Sequence, residues 1–136
     1  MRILVDTNVF IDIYLKRDPF YNDSKNAIQM AYSKSDRVFF SSSSVTDIYY
    51  NMCRFFHNTE IAFNCIADLV KNVKVATVNE RHIKEALISN IKDFEDAVVA
   101  VVAKNIEADY ILTRNIKDFA NSSVKAITPA EFLKLY

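Results

Sequence analysis

The segment Arg2-Ile3-Leu4-Val5-Asp6-Thr7-Asn8-Val9-Phe10-Ile11-Asp12 decides the fold. It opens with the aliphatic run of a buried strand, stops on a carboxylate, and passes through two polar residues into an apolar stretch with helical spacing. The same rhythm continues along the chain. The patterning predicts strands over residues 2–6, 37–41, 73–78, 110–114 and 124–128. It predicts helices over 8–16, 24–33, 45–56, 60–70, 80–89 and 94–105, and Pro129 opens a last helical turn through 136, at a position where proline is tolerated. Strands separated by helices need crossover connections and pair in parallel. The expected class is therefore α/β: one domain over residues 1–136, with a central parallel sheet of about four to five strands flanked by helices on both faces.

Composition narrows the function. A chain of 136 residues has room for one compact core but not two. No internal repeat, low-complexity tract or linker divides it. Lys plus Arg and Asp plus Glu both number 17, so no overall basic field gathers nucleic acid indiscriminately. The glycine count is zero, which excludes Walker-type phosphate loops and the usual dinucleotide fingerprint. No signal-peptide core precedes Asp6, and the aliphatic run over 97–103 is far short of the roughly 20 residues of a membrane span. The expectation is a cytoplasmic protein without a membrane anchor. Cys53 and Cys65 form no CxxC pair and read as free core thiols. With His57 and His82 they match no usual zinc spacing.

In open parallel sheets, sites form beyond the carboxyl ends of the strands. Asp6 stands at such an end, and a functional role competes there with simple capping of the following helix, which Thr7 and Asn8 could also perform. On the 45–56 helix, Val45, Ile48, Tyr49, Met52 and Phe56 take core spacing while Asp47, Tyr50, Asn51 and Arg54 share the other side. Ser44-x-x-Asp47 also resembles a capping box. Asp93, Glu95 and Asp96 crowd the mouth of a helix that is apolar all round and so should be buried. One or two of these acids suit the helix dipole; three repel one another unless a cation neutralises them. The strand over 110–114 again ends in polar residues, Thr113 and Asn115, with Asp118 following. Oxygen ligands at two strand ends and two helix starts suit Mg²⁺ or Mn²⁺.

Four segments in order, Asp6-Thr-Asn-Val-Phe-Ile-Asp12, Ser44-Val-Thr-Asp47, Asp93-Phe-Glu-Asp-Ala97 and Thr113-Arg-Asn-x-x-Asp-Phe119, resemble the PIN-domain ribonucleases. The resemblance extends to the terminal Ile-Thr-Pro-Ala-Glu-Phe-Leu. It implies a parallel sheet flanked by helices, an acidic pocket for Mg²⁺ or Mn²⁺, and cleavage of single-stranded RNA by metal-activated water. Many small members resemble VapC-type toxins, which pair with a small antitoxin protein and are usually homodimers. Carried over by position, Asp6 and Asp96 are the main metal ligands, Asp47 is the further acid, and Asn115 with Asp118 completes the catalytic set. Thr7, Asn8, Arg54, Thr113 and Arg114 are candidate substrate contacts, with Lys117 beside them at the rim, against the alternative of ordinary solvated charge for the cations. Tyr50 is a candidate for base stacking, and the adjacent aromatics equally suit a dimer or antitoxin surface.

Two departures stand out. The family's second acid is usually Glu, one methylene longer than Asp47, and many members carry Asp where this chain has the uncharged Asn115. The latter keeps a catalytically weak RNA-binding or regulatory module in play. A haloacid-dehalogenase-like phosphatase also ends its first strand in Asp, but needs a second Asp where this chain has Asn8.

Overall fold

Arg2–Val5 form β1, and its alternation fixes the two faces of the sheet. Ile3 and Val5 point into one core and Leu4 into the other, all of them buried. The structure, a computed structural model, describes Met1–Tyr136. The chain continues through α1 (Thr7–Tyr14), α2 (Tyr21–Ser33), β2 (Arg37–Ser41), a 3-10 turn over Ser42–Ser44, α3 (Val45–Phe56) and α4 (Thr59–Asn72). It then forms β3 (Lys74–Ala76), α5 (Glu80–Leu87), α6 (Phe94–Asn105), β4 (Tyr110–Leu112), a second 3-10 turn over Ile116–Phe119, β5 (Ala126–Ile127) and α7 (Pro129–Leu133).

Every pairing in the five-stranded sheet is parallel, and the strand order is β3-β2-β1-β4-β5. The order reverses around β1: the chain steps outward to β2 and β3, then returns past β1 to β4. This reversal opens a crevice beyond the carboxyl ends of β1 and β4. The predicted class, parallel sheet and strand count match the structure. The larger core lies on one face under α1, α2, α3, α4 and α7. The second gathers α6, part of α5 and the Ile116–Phe119 turn on the other face. Ala97 through Val102 and Ala103 of α6 are all buried, as a helix without a polar face requires.

Boundaries differ from expectation where the backbone loses ladder partners. β3 stops at Ala76, β4 at Leu112 and β5 at Ile127, each shorter than the apolar run that suggested it. α2 begins at Tyr21, three residues early, without a side-chain cap. The capping box expected at Ser44 is absent: Ser44 has helical dihedrals and its side chain caps nothing. At the start of α6, by contrast, Asp93 does cap the helix, with Asp96 N–H donating to Asp93 Oδ1 at 3.0 Å.

Candidate functional site

The crevice at the reversal holds a cavity of ≈ 290 Å³ whose walls carry Asp6, Asp47, Glu95, Asp96, Asn115 and Asp118. The structure thus brings the five acid and amide candidates from four separate elements into one pocket. Glu95 joins them, and sequence reasoning had treated it only as one of the crowded acids.

Asp6 is the most firmly held. Its backbone N–H donates to Leu112 C=O at 2.9 Å, joining the ends of β1 and β4. Its Oδ1 accepts from Thr7 N–H at 2.8 Å, so Asp6 is itself the cap of α1. Its Oδ2 accepts from Thr113 Oγ1 at 2.8 Å and from Asn8 Nδ2 at 3.0 Å. Capping and a role in the pocket are therefore not alternatives: one oxygen starts the helix and the other is aimed by β4. Thr113 is fully buried beneath the carboxylate and also accepts from Asn115 N–H at 3.1 Å. Asn8 completes the brace by accepting from Arg114 N–H at 3.3 Å. Thr113 acts on Asp6 from below rather than lining the cavity, whereas Thr7 and Asn8 do line it.

Electrostatics set the pocket apart. Burial pushes the Asp6 carboxyl above its ordinary range, opposed by the hydrogen bonds from Thr113 and Thr7 and reinforced by Asp118. Asp96 is pushed up to about 7, first by burial and then by the charges of Asp93, Asp6, Asp118 and Glu95. Like charges at close quarters cannot all ionise without a counter-charge. The donor set consists of carboxylates, two amides and hydroxyls, with no imidazole or thiolate on the cavity wall, which is the chemistry of a hard cation such as Mg²⁺ or Mn²⁺. No three His, Cys, Asp or Glu side chains close into a tight cage. An open arrangement fits Mg²⁺, which keeps several waters and binds through one or two carboxylates.

The cationic candidates fall elsewhere. Arg54 is exposed on α3, its guanidinium 5.6 Å from the Tyr50 ring centroid, and neither residue lines the cavity. Lys117 borders a neighbouring depression that shares Asp96 and Asp118. Arg114 turns away from the pocket: its Nε lies 2.7 Å from Oδ2 of Asp12, and its guanidinium stacks 4.2 Å from the Phe20 ring centroid. Asp12 is completely buried on α1. The contact is ionic rather than an aligned hydrogen bond, because neither Asp12 oxygen has a hydrogen-bond partner of good geometry. Burial raises the Asp12 carboxyl, and the charges of Arg114 and Arg17 oppose that rise. Stripping one partner from such a pair typically costs about 3–5 kcal/mol, so the Arg114 charge is committed to the fold.

Comparison with known proteins adds a lineage. The sequence matches the family model of the PIN domain over residues 2–117. It is 26% identical over 136 residues to Ribonuclease VapC1 of Aquifex aeolicus (strain VF5), covering 96% of this chain and 92% of that one. The fold resembles a crystal structure of VapBC2 from Rickettsia felis bound to a DNA fragment from their promoter, with TM-score 0.76 and 14% identity, over 94% of this chain and 98% of that one. It also resembles a chain of a toxin-antitoxin complex from Klebsiella pneumoniae, with TM-score 0.70 and 19% identity, over 93% and 97% of the two chains.

Proposed function

This chain belongs to the PIN domain family, and we propose that it is a divalent-cation-dependent endoribonuclease that cleaves single-stranded RNA, acting as the toxin of a toxin-antitoxin pair. The observation that carries the reading is the convergence of Asp6, Asp96, Asp47 and Asp118 on one crevice, with Asp96 raised to about 7 by burial and by its acidic neighbours. The similarity to Ribonuclease VapC1 supports the activity, and the likeness to the Klebsiella pneumoniae complex supports a small antitoxin as partner. Homodimerisation and a cytoplasmic location belong to the same proposal. No helix is long and apolar enough to cross a membrane.

Asp6 and Asp96 would hold Mg²⁺ or Mn²⁺, with Asp47 contributing through its shorter side chain. Bound there, such an ion would lower the pKa of a water beside it and offset the charge that develops on the phosphoryl group. The protein's own groups do the rest. Thr113, Thr7 and Asn8 fix both oxygens of Asp6, so the carboxylate does not have to reorient during the reaction. Asp47 and Asp118 accept hydrogen bonds from the attacking water and orient it toward phosphorus, and Asn115 offers a neutral oxygen beside them. Water attack with departure of the 3′ oxygen leaves a 5′-phosphate and a 3′-hydroxyl.

A phosphatase that uses a first-strand Asp nucleophile with a second acid two residues on is disfavoured, because Asn8 is an amide and spends its Nδ2 on Asp6. The neutral Asn115 leaves a non-catalytic RNA-binding module as the second reading. A fluorogenic single-stranded RNA separates the two. The nuclease cleaves it with Mn²⁺, stops on addition of EDTA, and loses at least 100-fold in rate on Asp6→Asn, the scale of one lost electrostatic group in a dry site. Metal-independent binding without cleavage sinks the nuclease reading.

A further inference from the structure

Five carboxylates line the cavity, and one basic residue does: Arg17. An RNA phosphodiester entering this pocket meets strong negative charge even with a divalent cation in place, so it needs a cation of the protein's own on the wall. The arginines and the lysine that the sequence offered for that task do not line the cavity. Arg54 lies on α3 over Tyr50, Arg114 is bound to Asp12, and Lys117 faces the neighbouring depression.

Arg17 is built differently. It follows α1 through Lys16, whose φ of 50° turns the chain sharply at the helix end. Its N–H donates to Asp12 C=O at 3.0 Å, and its own C=O accepts from the N–H groups of Phe20 at 2.9 Å and Tyr21 at 2.8 Å. Both backbone groups are therefore anchored, one to α1 and one to the start of α2. The side chain forms no ion pair with any carboxylate, although five line the same cavity. An anchored backbone carrying a guanidinium that lines an acidic pocket, with no direct carboxylate partner and only a longer-range charge effect on Asp12, is the arrangement expected of a phosphate contact, since the planar fork can meet two phosphate oxygens at once.

We propose that Arg17 grips a non-bridging oxygen pair of the RNA backbone as substrate enters the pocket, supplying the local attraction that a chain of zero net charge lacks. The inference rests on the nuclease reading and names a residue that reading left out.

The test compares wild type, Arg17→Gln, Arg17→Lys and Asp6→Asn on one fluorogenic single-stranded RNA with Mn²⁺, across a series of salt concentrations, with melting temperatures alongside. Arg17→Gln should raise KM about tenfold or more, change kcat less, and flatten the salt dependence whatever small fall in melting temperature follows from the lost charge near Asp12. The slope of log(kcat/KM) against log salt should flatten by about 0.7, the share of one phosphate contact on a single strand. Arg17→Lys should restore the salt slope while recovering KM only in part, because an ammonium cannot match the fork. If Asp6→Asn abolishes cleavage while Arg17→Gln keeps the wild-type KM and salt slope, the phosphate contact is wrong and the nuclease reading stands. A lowered melting temperature with an unchanged salt slope assigns Arg17 to the α1–α2 turn and also overturns the proposal. If wild type does not cleave, both fall together.

Discussion

At the scale of single residues, the site spends stability on function, and Asp96 shows it most directly. Its carboxyl sits at about 7 in the folded chain, well above the ordinary value near 3.9 in an unfolded one. Between those values the folded chain holds a proton that the unfolded chain has released, so stability in the absence of metal falls as pH rises through that window. The contribution is fully present below about pH 4 and lost as pH passes 7. Denaturant titrations of metal-free protein at a series of pH values should show this decline, and Asp96→Asn should flatten it and raise stability above pH 7. An unchanged slope in Asp96→Asn would mean that burial and the neighbouring acids do not raise this carboxyl. Asp96 was legible in the sequence because crowded acids before an all-apolar helix conflict with one another. Asp12 was not: it sits inside a quoted segment, yet its importance lies in Arg114, which is 102 positions away and comes into reach only when β1 and β4 pair.

At the scale of elements, the missing glycines leave a mark at helix ends. Lys16, Ser35, His57 and Glu107 all hold positive φ, at 50°, 60°, 50° and 54°, just where α1, α2, α3 and α6 give way to the next segment. Glycine is the usual choice there, because a Cβ crowds the following carbonyl at a cost of about 1 kcal/mol or more. Ser35 and His57 make no side-chain hydrogen bond or ion pair that their replacement would sacrifice, unlike Glu107, which meets Arg2 Nη1 at 2.7 Å. Ser35→Gly and His57→Gly should each stabilise the chain by up to about 1 kcal/mol in urea unfolding, less the extra freedom gained by the unfolded chain. The two should add, because each acts on a separate helix end. Loss of stability in both would show that these turns are held by something other than local sterics. Strand and helix identities were readable from periodicity, since apolar alternation and apolar stripes survive into the structure. Strand ends and both 3-10 turns were not, because they depend on where a neighbouring strand stops offering partners.

At the scale of the whole molecule, strand order is what makes the site. β1 occupies the middle of the sheet, and the reversal beside it juxtaposes Asp6 with the loop after β4, while α3 and α6 bring their acidic first turns to the same rim. Each acid was visible alone, and the family resemblance implied that they share a pocket; the strand order β3-β2-β1-β4-β5 that brings them together is encoded by no local pattern. The formal charge of zero likewise conceals an acidic pocket balanced by cations spread over the rest of the surface. A ligand that binds only the assembled crevice stabilises the fold by mass action, by about 2.7 kcal/mol at a hundred times its dissociation constant. For a domain of this size that corresponds to a rise in Tm of roughly 5–15 °C. Thermal unfolding with saturating Mg²⁺ or Mn²⁺ should show such a rise at pH 8, and a smaller one at pH 6 for the same metal concentration, because the ion must then displace the Asp96 proton. Asp6→Asn should abolish the shift at both pH values. An equal rise in that variant would locate cation binding outside the crevice and remove the metal from the proposed site.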